Sequence, residues 1–225
     1  MRIDPERVHL STGNRGTGKS TRLSLILHAM MAADPTMRAV VLDVARQWPY
    51  GALRGRVRWA LCSTAAAVPE LLRRVRLVVV RLPGKLPNEP APTRELAGQL
   101  ISVAVDWPGE CALVLPEAQL AAPNGHRLPD GTLDALTLSR AHRFVLLADT
   151  QHPARLTTVI RDECTWYAHA TKSPRDVDAI LDAVRDTVDP ASVPAAAAAV
   201  RSLTGMPPGF HIRIDGSDSD LRPHR

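Results

Sequence analysis

The chain has 225 residues, of which 45% are hydrophobic and 23% are charged. This composition is that of a folded domain and excludes a disordered, collagen-like or disulfide-stapled protein. The 28 Lys and Arg residues outnumber the 23 Asp and Glu residues, which gives a formal net charge of +5, and 25 of the 28 are arginine. A basic surplus is typical of nucleic-acid partners, but a compositional bias towards Arg, Ala and Pro explains it equally well.

The N-terminal residues include no apolar stretch of signal-peptide length, and no apolar run in the sequence approaches a membrane span. Cys62, Cys111 and Cys164 lie far apart and form no CxxC pair, so we expect reduced thiols without a metal site. These features predict a cytoplasmic protein. Its length suits a single α/β domain over residues 1–214, followed by a polar tail over residues 215–225 that we expect to be disordered.

Short aliphatic segments alternate with amphipathic ones, a pattern typical of a mainly parallel sheet flanked by helices. Strands are predicted, in chain order, over residues 8–11, 39–42, 75–82, 111–115, 144–148, 166–170 and 210–214. Two helices are predicted over residues 20–31 and 133–140. A third is predicted to begin after Thr93 as its N-cap, and a fourth at Ser173 and Pro174. A fifth is predicted in the alanine-rich segment that ends near Gly205. Residues 83–92 and 121–131 are rich in Pro and Gly and are predicted to be exposed loops.

A glycine-rich segment follows the first predicted strand and fits the pattern G-x-x-x-x-G-K-[ST]. Its glycines allow the backbone N–H groups to surround a phosphate, and the helix that follows adds the positive end of its dipole. We expect Lys19 to reach the β and γ phosphates of ATP and the Ser20 hydroxyl to bind Mg²⁺. The predicted nucleotide-binding residues are Gly13, Asn14, Arg15, Gly16, Thr17, Gly18, Lys19, Ser20 and Thr21.

Glu117 follows the hydrophobic strand CALVL, which we expect to lie beside the phosphate strand. A glutamate at that edge can polarise a water molecule for attack on the γ-phosphate. P-loop ATPases with such a glutamate usually have Asp-Glu here, with the aspartate supporting Mg²⁺. In this chain Pro116 occupies the aspartate position. Gln151 follows the next predicted strand and is a candidate sensor of the γ-phosphate, although Asp149 to Pro153 also suits an ordinary turn.

In order along the chain, GNRGTGKS, VVLDVARQWPY with Asp43, LVLPEAQ, FVLLADTQHP and LTGMPPGFHIRI resemble the FtsK/HerA branch of P-loop ATPases. The resemblance covers most of residues 5–214 and implies an ASCE-type, RecA-like P-loop NTPase fold. The chain is most similar to the compact genome-packaging ATPases of internal-membrane viruses with double jelly-roll capsids. This similarity implies an ATPase that translocates DNA, which we expect to be double-stranded. It also implies a ring of six copies that contacts a capsid or portal protein at the packaging vertex.

A ring implies an arginine that each copy gives to its neighbour's nucleotide. Arg140 and Arg143 are the preferred candidates, followed by Arg155 and Arg161. Arg46, Arg54, Arg56 and Arg58 could face DNA, and Trp48 and Tyr50 could stack bases, although core packing is the simpler interpretation of both aromatic residues. His152 is either a polar contact near the phosphate or an ordinary turn histidine.

Three alternatives remain open from the sequence. The first is a Zot-like phage assembly ATPase, whose relatives usually add a transmembrane anchor. The second is a small-molecule kinase, for which residues 121–131 look too short and too proline-rich to form a lid. The third is a nucleotide-gated assembly or binding protein with weak or no hydrolysis, which Pro116 favours.

Overall fold

The computed structural model describes residues 8–44, 46, 48, 57–82, 91–127, 131, 144–162, 164–171, 173–207 and 209–214. Within these residues one sheet has eight strands in the order β3-β4-β2-β5-β6-β1-β7-β8. The strands are β1 Val8–Thr12, β2 Arg38–Leu42, β3 Trp59–Cys62, β4 Leu77–Val80, β5 Cys111–Leu115, β6 Phe144–Thr150, β7 Cys164–His169 and β8 His211–Ile214. All neighbouring strands are parallel except β7 and β8, which pair antiparallel.

Six helices connect the described strands. They are α1 Lys19–Ala33, α2 Val68–Arg74, α3 Ala91–Val105, α4 Thr158–Asp162, α5 Pro174–Thr187 and α6 Val193–Ser202. Single 3₁₀ turns occur at Ala65–Ala67, Ala118–Leu120, Pro153–Arg155 and Leu203–Gly205. No helix in the described part of the chain combines the length and the apolar character that crossing a membrane requires.

Helices cover both faces of the sheet, because side chains along each strand alternate between the faces. In β5, Ala112 and Val114 contribute to the core on the α1 side, where Leu23, Leu27 and Met30 are buried. The flanking β5 residues Cys111, Leu113 and Leu115 face the opposite core, to which α2, α3, α5 and α6 contribute. A central strand buried on both faces explains why CALVL reads as a continuous apolar run.

The predicted fold class is confirmed, and so are the seven predicted strands, with shifts of a few residues at their ends. The sequence pattern missed β3 and α2. Strand β3 lies at the sheet edge with Trp59 and Leu61 exposed, so it carries no buried apolar pattern, and α2 is only seven residues long.

Three local expectations were wrong. Thr93 is not an N-cap, because α3 begins at Ala91 and Thr93 is buried within it. The segment from residue 121 is not fully exposed, since Ala121 and Ala122 are buried and Pro123 pairs with Leu156. Strand β5 is not beside the phosphate strand β1, because β6 lies between them; a parallel crossover can skip a position, and chain order does not reveal which one it skips.

The predicted start of α5 is confirmed and allows a matched test of capping. The Ser173 hydroxyl accepts a hydrogen bond from the backbone N–H of Asp176, whereas Ser192 precedes α6 without a side-chain cap. We expect Ser173→Ala to lower the free energy of unfolding by about 1 kcal/mol and Ser192→Ala to leave it nearly unchanged. Urea unfolding of both variants measures the difference, and equal losses would contradict the capping role.

Candidate active site

The phosphate loop lies between β1 and α1 and is anchored to two neighbouring strands. The Gly13 N–H donates to the Thr150 carbonyl at 3.3 Å, and the Asn14 N–H donates to the Ala170 carbonyl at 2.9 Å. Gly13 has φ +142°, and a Cβ there would lie 2.7 Å from the His169 Cβ, so only glycine fits. Gly18, with φ +98°, precedes α1 without a side-chain cap. The first N–H groups of α1 therefore have no capping side chain to compete with an anion.

The Lys19 ammonium lies inside this loop. Its Nζ donates to the Asn14 carbonyl at 3.1 Å, and the residue is 5% exposed. Burial lowers the pKa of Lys19, while the nearby carboxylates of Asp149 and Glu117 act in the opposite direction. A positive charge is thus held beside the Asn14 carbonyl of the loop, where it can meet the phosphate charge of a bound nucleotide.

Asp149 is a fully buried carboxylate at the carboxyl end of β6, next to the phosphate loop. It accepts hydrogen bonds from the Ser20 hydroxyl at 2.7 Å through Oδ2 and from the Glu117 backbone N–H at 2.8 Å through Oδ1. Burial raises the pKa of Asp149, and these two hydrogen bonds and the charge of Lys19 oppose that rise. The sequence pattern around this residue predicted only an ordinary turn.

Glu117 follows β5 in a left-handed conformation, with φ 55° and ψ 49°, which is uncommon for a residue other than glycine. Its carboxylate oxygens accept from two amides: Gln151 Nε2 donates to Oε1, and Gln119 Nε2 donates to Oε2 at 2.7 Å. Gln119 is itself held by the Thr150 hydroxyl, which donates to its Oε1 at 2.6 Å. Strained backbone of this kind persists where surrounding contacts hold it, and it clusters at functional sites.

The structure brings most of the predicted residues together. Lys19, Ser20, Glu117 and Gln151 are linked through direct contacts or through Asp149. Within the loop, Thr17 donates to the Asn14 carbonyl at 2.8 Å, while the side chains of Arg15 and Thr21 are exposed.

Some of the remaining predicted residues lie within the described part of the chain and some do not. Arg140 and Arg143, the preferred neighbour-directed arginines, lie outside the described residues, as do the predicted helix 133–140, the tail 215–225, Arg54, Arg56 and Tyr50. Arg155 is exposed and Arg161 is half-buried.

The remaining assignments split between surface and core. Arg58 is exposed, and Arg46 donates to the Leu82 carbonyl at 3.2 Å. Trp48 is buried in the core, as the simpler interpretation predicted. Asp43 is buried and pairs with Arg81 at 2.9 Å. The His152 ring contacts the Asp176 carboxylate at 3.2 Å.

Sequence reasoning missed three residues that complete the site: Asp149, Gln119 and Gly209. The Gly209 N–H donates to the Thr17 carbonyl at 3.0 Å, so the turn before β8 lies against the phosphate loop. Gln119 had a usable signal, because it lies two residues after Glu117, on the far side of a turn. Asp149 had one as well, because it immediately precedes the Thr-Gln pair at a strand end.

A set of polar rings supports the loop from β7 and β8. The rings of His169 and His211 are 5.2 Å apart, those of Tyr167 and His211 are 5.9 Å apart, and the Arg22 guanidinium lies 5.1 Å from the Tyr167 ring. Burial, and then the charges of His211, Lys19 and Arg22, lower the pKa of His169 to about 3. His169 is therefore neutral in the folded chain at neutral pH.

This depressed pKa predicts acid sensitivity. An unfolded histidine binds a proton near pH 6.5 and folded His169 only near pH 3, so its contribution to stability is complete above about pH 6.5 and is lost as the pH falls towards 3. We expect His169→Gln to flatten the decline of unfolding free energy between about pH 6.5 and 4.5. The exposed residue His126 provides the control variant His126→Gln, and an equal effect of both would contradict the assignment.

The loop between β1 and α1, with a buried carboxylate beside its serine and a glutamate at the carboxyl edge of a mainly parallel sheet, defines a P-loop NTPase fold. No protein-family model matches this sequence, and no curated protein matches it. Solved structures do match the fold along nearly its whole length. The fold that the FtsK/HerA resemblance implies is therefore confirmed.

Two of these structures are viral. The genome packaging NTPase B204 of Sulfolobus turreted icosahedral virus 2, in complex with ATP-gammaS, matches with a TM-score of 0.72 and 13% identity over 99% of this chain and 98% of that one. The DNA-packaging ATPase B204 of Sulfolobus turreted icosahedral virus matches with a TM-score of 0.68 and 14% identity over 99% and 98%.

A third structure is bacterial. VirB4 of Thermoanaerobacter pseudethanolicus matches with a TM-score of 0.63 and 12% identity over 96% of this chain and 91% of that one. At these identities the likeness establishes the fold alone.

Proposed function

We propose that this protein is an ATPase that couples ATP hydrolysis to DNA translocation, and that its task is to drive a viral genome into a capsid. The observation that carries the ATPase proposal is the position of Glu117. Its carboxylate is held by two glutamine amides at the sheet edge that also carries the phosphate loop, and its backbone is hydrogen-bonded to the carboxylate beside Ser20.

Nucleotide binding follows from the loop. The backbone N–H groups around Gly13 to Gly18 and the start of α1 suit the phosphate chain, and Lys19 supplies the charge for its β and γ groups. The Ser20 hydroxyl, set beside a buried carboxylate, provides the hard oxygen ligands that Mg²⁺ prefers, so the residues present fit this ion. Ser20, with the carboxylate beside it, would hold this ion, which would supply positive charge against the charge that develops on the phosphate oxygens.

Hydrolysis needs a base that is oriented before the water arrives. Glu117 has this orientation, because the Gln151 amide donates to one of its oxygens and the Gln119 amide donates to the other. In the proposed reaction Glu117 accepts the proton of the attacking water, and Gln151 links this carboxylate to the end of β6. Loss or gain of the γ-phosphate would thereby be transmitted to the segment that follows Gln151.

The DNA part of the proposal rests on the fold and on charge. Two structural neighbours are described as packaging enzymes, one for a genome and one for DNA, and this chain has a formal net charge of +5. We propose a ring of six copies, a capsid or portal-vertex partner, and an arginine donated between copies from Arg140 or Arg143. Exposed Arg155 is the described alternative for that last role.

The testing experiment measures phosphate release from ATP with and without double-stranded DNA, together with the mass of the assembly in ATPγS. Release that rises with DNA and assembly into a closed ring are the expected results. Release at the same rate with and without DNA, or ADP formation that requires a small-molecule acceptor, would contradict the translocase. Single-stranded DNA of equal length serves as the control for strand type.

A second candidate function is favoured by one observation, which is Pro116 in the position where the resemblance implies a metal-supporting aspartate. In that case the chain would bind ATP and assemble without hydrolysing it. ATP binding and ring formation with no phosphate release, in the presence of DNA, would support this candidate over the ATPase.

A further inference from the structure

Position 116 lacks the carboxylate that the resemblance to FtsK/HerA ATPases implies. A proline side chain offers no oxygen to a metal ion, and the residue also lacks a backbone N–H. If the site binds Mg²⁺ through protein carboxylate oxygen, that oxygen has to come from another residue. This inference rests on the proposed nucleotide-binding function and concerns the residue that supports its metal.

The strand register places a carboxylate directly beside position 116. Leu115 of β5 pairs with Ala148 of β6, so the next residues along these parallel strands are Pro116 and Asp149. On its other side Asp149 pairs with Ser11 of β1, the strand that leads into the phosphate loop. Asp149 therefore lies one strand closer to the loop than the residue it would replace.

The contacts of Asp149 are those of a metal-supporting residue. Oδ2 accepts from the Ser20 hydroxyl at 2.7 Å, and Ser20 is the predicted protein ligand of Mg²⁺. Oδ1 accepts from the Glu117 N–H at 2.8 Å, which fixes the orientation of the carboxylate. A buried carboxylate is costly unless charge or hydrogen bonds compensate it. The charge of Lys19 and these two hydrogen bonds compensate part of this cost for Asp149, and a cation beside Oδ2 would compensate more of it.

Glu117 is a poorer candidate for the same role. Its oxygens accept from the Gln119 and Gln151 amides, whereas an Asp149 oxygen accepts from Ser20 itself. The Glu117 backbone also leaves the strand direction in its left-handed conformation. We infer that Asp149 holds the Mg²⁺ ion of the bound nucleotide together with Ser20. The metal-supporting aspartate is thus moved sideways by one strand, from the end of β5 to the end of β6.

The experiment compares nucleotide binding and metal binding separately. Fluorescent ADP is titrated into the native chain without divalent metal, and Mn²⁺ binding to the ADP complex is then followed by electron paramagnetic resonance. We expect Asp149→Asn to keep metal-free ADP binding and to weaken Mn²⁺ binding by about tenfold or more. Asp43→Asn is the matched control, because Asp43 is equally buried at the end of β2 but pairs with Arg81.

A double variant, Pro116→Asp with Asp149→Asn, returns the carboxylate to β5 and is expected to recover part of the Mn²⁺ affinity. Mn²⁺ affinity of Asp149→Asn within about twofold of native, with ADP still bound, would overturn this inference and leave the proposed function intact. If the native chain bound no nucleotide either with or without divalent metal, the proposed function would be overturned, and this inference with it.

Anomalous diffraction from the native protein with Mn²⁺ and ATPγS does not depend on the folding of any variant. The expected metal position is beside Ser20 Oγ, within about 4.5 Å of an Asp149 oxygen, which allows a direct bond or one bridging water. A metal bound to the nucleotide but farther from Asp149 than that would overturn the inference.

Discussion

Replacing Glu117 by glutamine is expected to reduce phosphate release at least about 100-fold, since a positioned general base contributes roughly 10²–10⁴ to a rate. The amide keeps the shape of the carboxylate but cannot accept the proton of the attacking water. Gln119 and Gln151 can still hydrogen-bond to it after rotation of an amide, so the site should remain assembled. ATP binding, measured by fluorescence with a non-hydrolysed analogue, should change by less than about threefold.

Glu95→Gln is the control for this substitution, because Glu95 is an exposed glutamate on α3. It should leave both release and binding at native values. Phosphate release by Glu117→Gln at the native rate would show that Glu117 is not the general base.

Replacing Lys19 by alanine is expected to weaken nucleotide binding by roughly 10- to 100-fold, the loss that accompanies one or two charge-assisted hydrogen bonds. The same change should cost little folding stability. Burial lowers the pKa of Lys19, which means that the folded chain holds its ammonium at an electrostatic cost. Nucleotide titration and thermal unfolding of one sample separate the two effects.

Arg185→Ala is the matched removal of an exposed cation on α5, far along the chain from the loop. It should leave nucleotide affinity unchanged. A large loss of stability in Lys19→Ala without a loss of affinity would show that Lys19 supports the loop structurally and does not contact phosphate.

The phosphate loop could be predicted from the sequence because its chemistry is local. The glycines, Lys19 and Ser20 are consecutive, and the strand before them and the helix after them follow directly. Glu117 and Gln151 could be predicted because each follows a buried strand, and parallel strands present their carboxyl ends at one edge of a sheet. Their mutual contact is a consequence of that shared edge.

The strand end of Asp149 is visible in the sequence, but the metal-supporting role inferred for it could not be predicted in the same way. It depends on the order of the strands in the sheet, and no local sequence pattern indicates that β6 lies between β5 and β1. The pairing of Leu115 with Ala148 is what sets Asp149 next to Pro116, and register between distant strands is a tertiary property. The edge strand β3 was missed for a different reason, since its exposed Trp59 and Leu61 give no burial pattern.

The hydrogen bond from Gly209 to Thr17 joins the last described turn of the chain to the first loop. During synthesis the ribosome releases the phosphate loop early and this turn late, so a nascent chain carries GNRGTGKS long before the segment that rests against it exists. The β7 residues that support Gly13 also emerge late. A partly made chain therefore carries the phosphate loop without the contacts that Gly209 and His169 make with it.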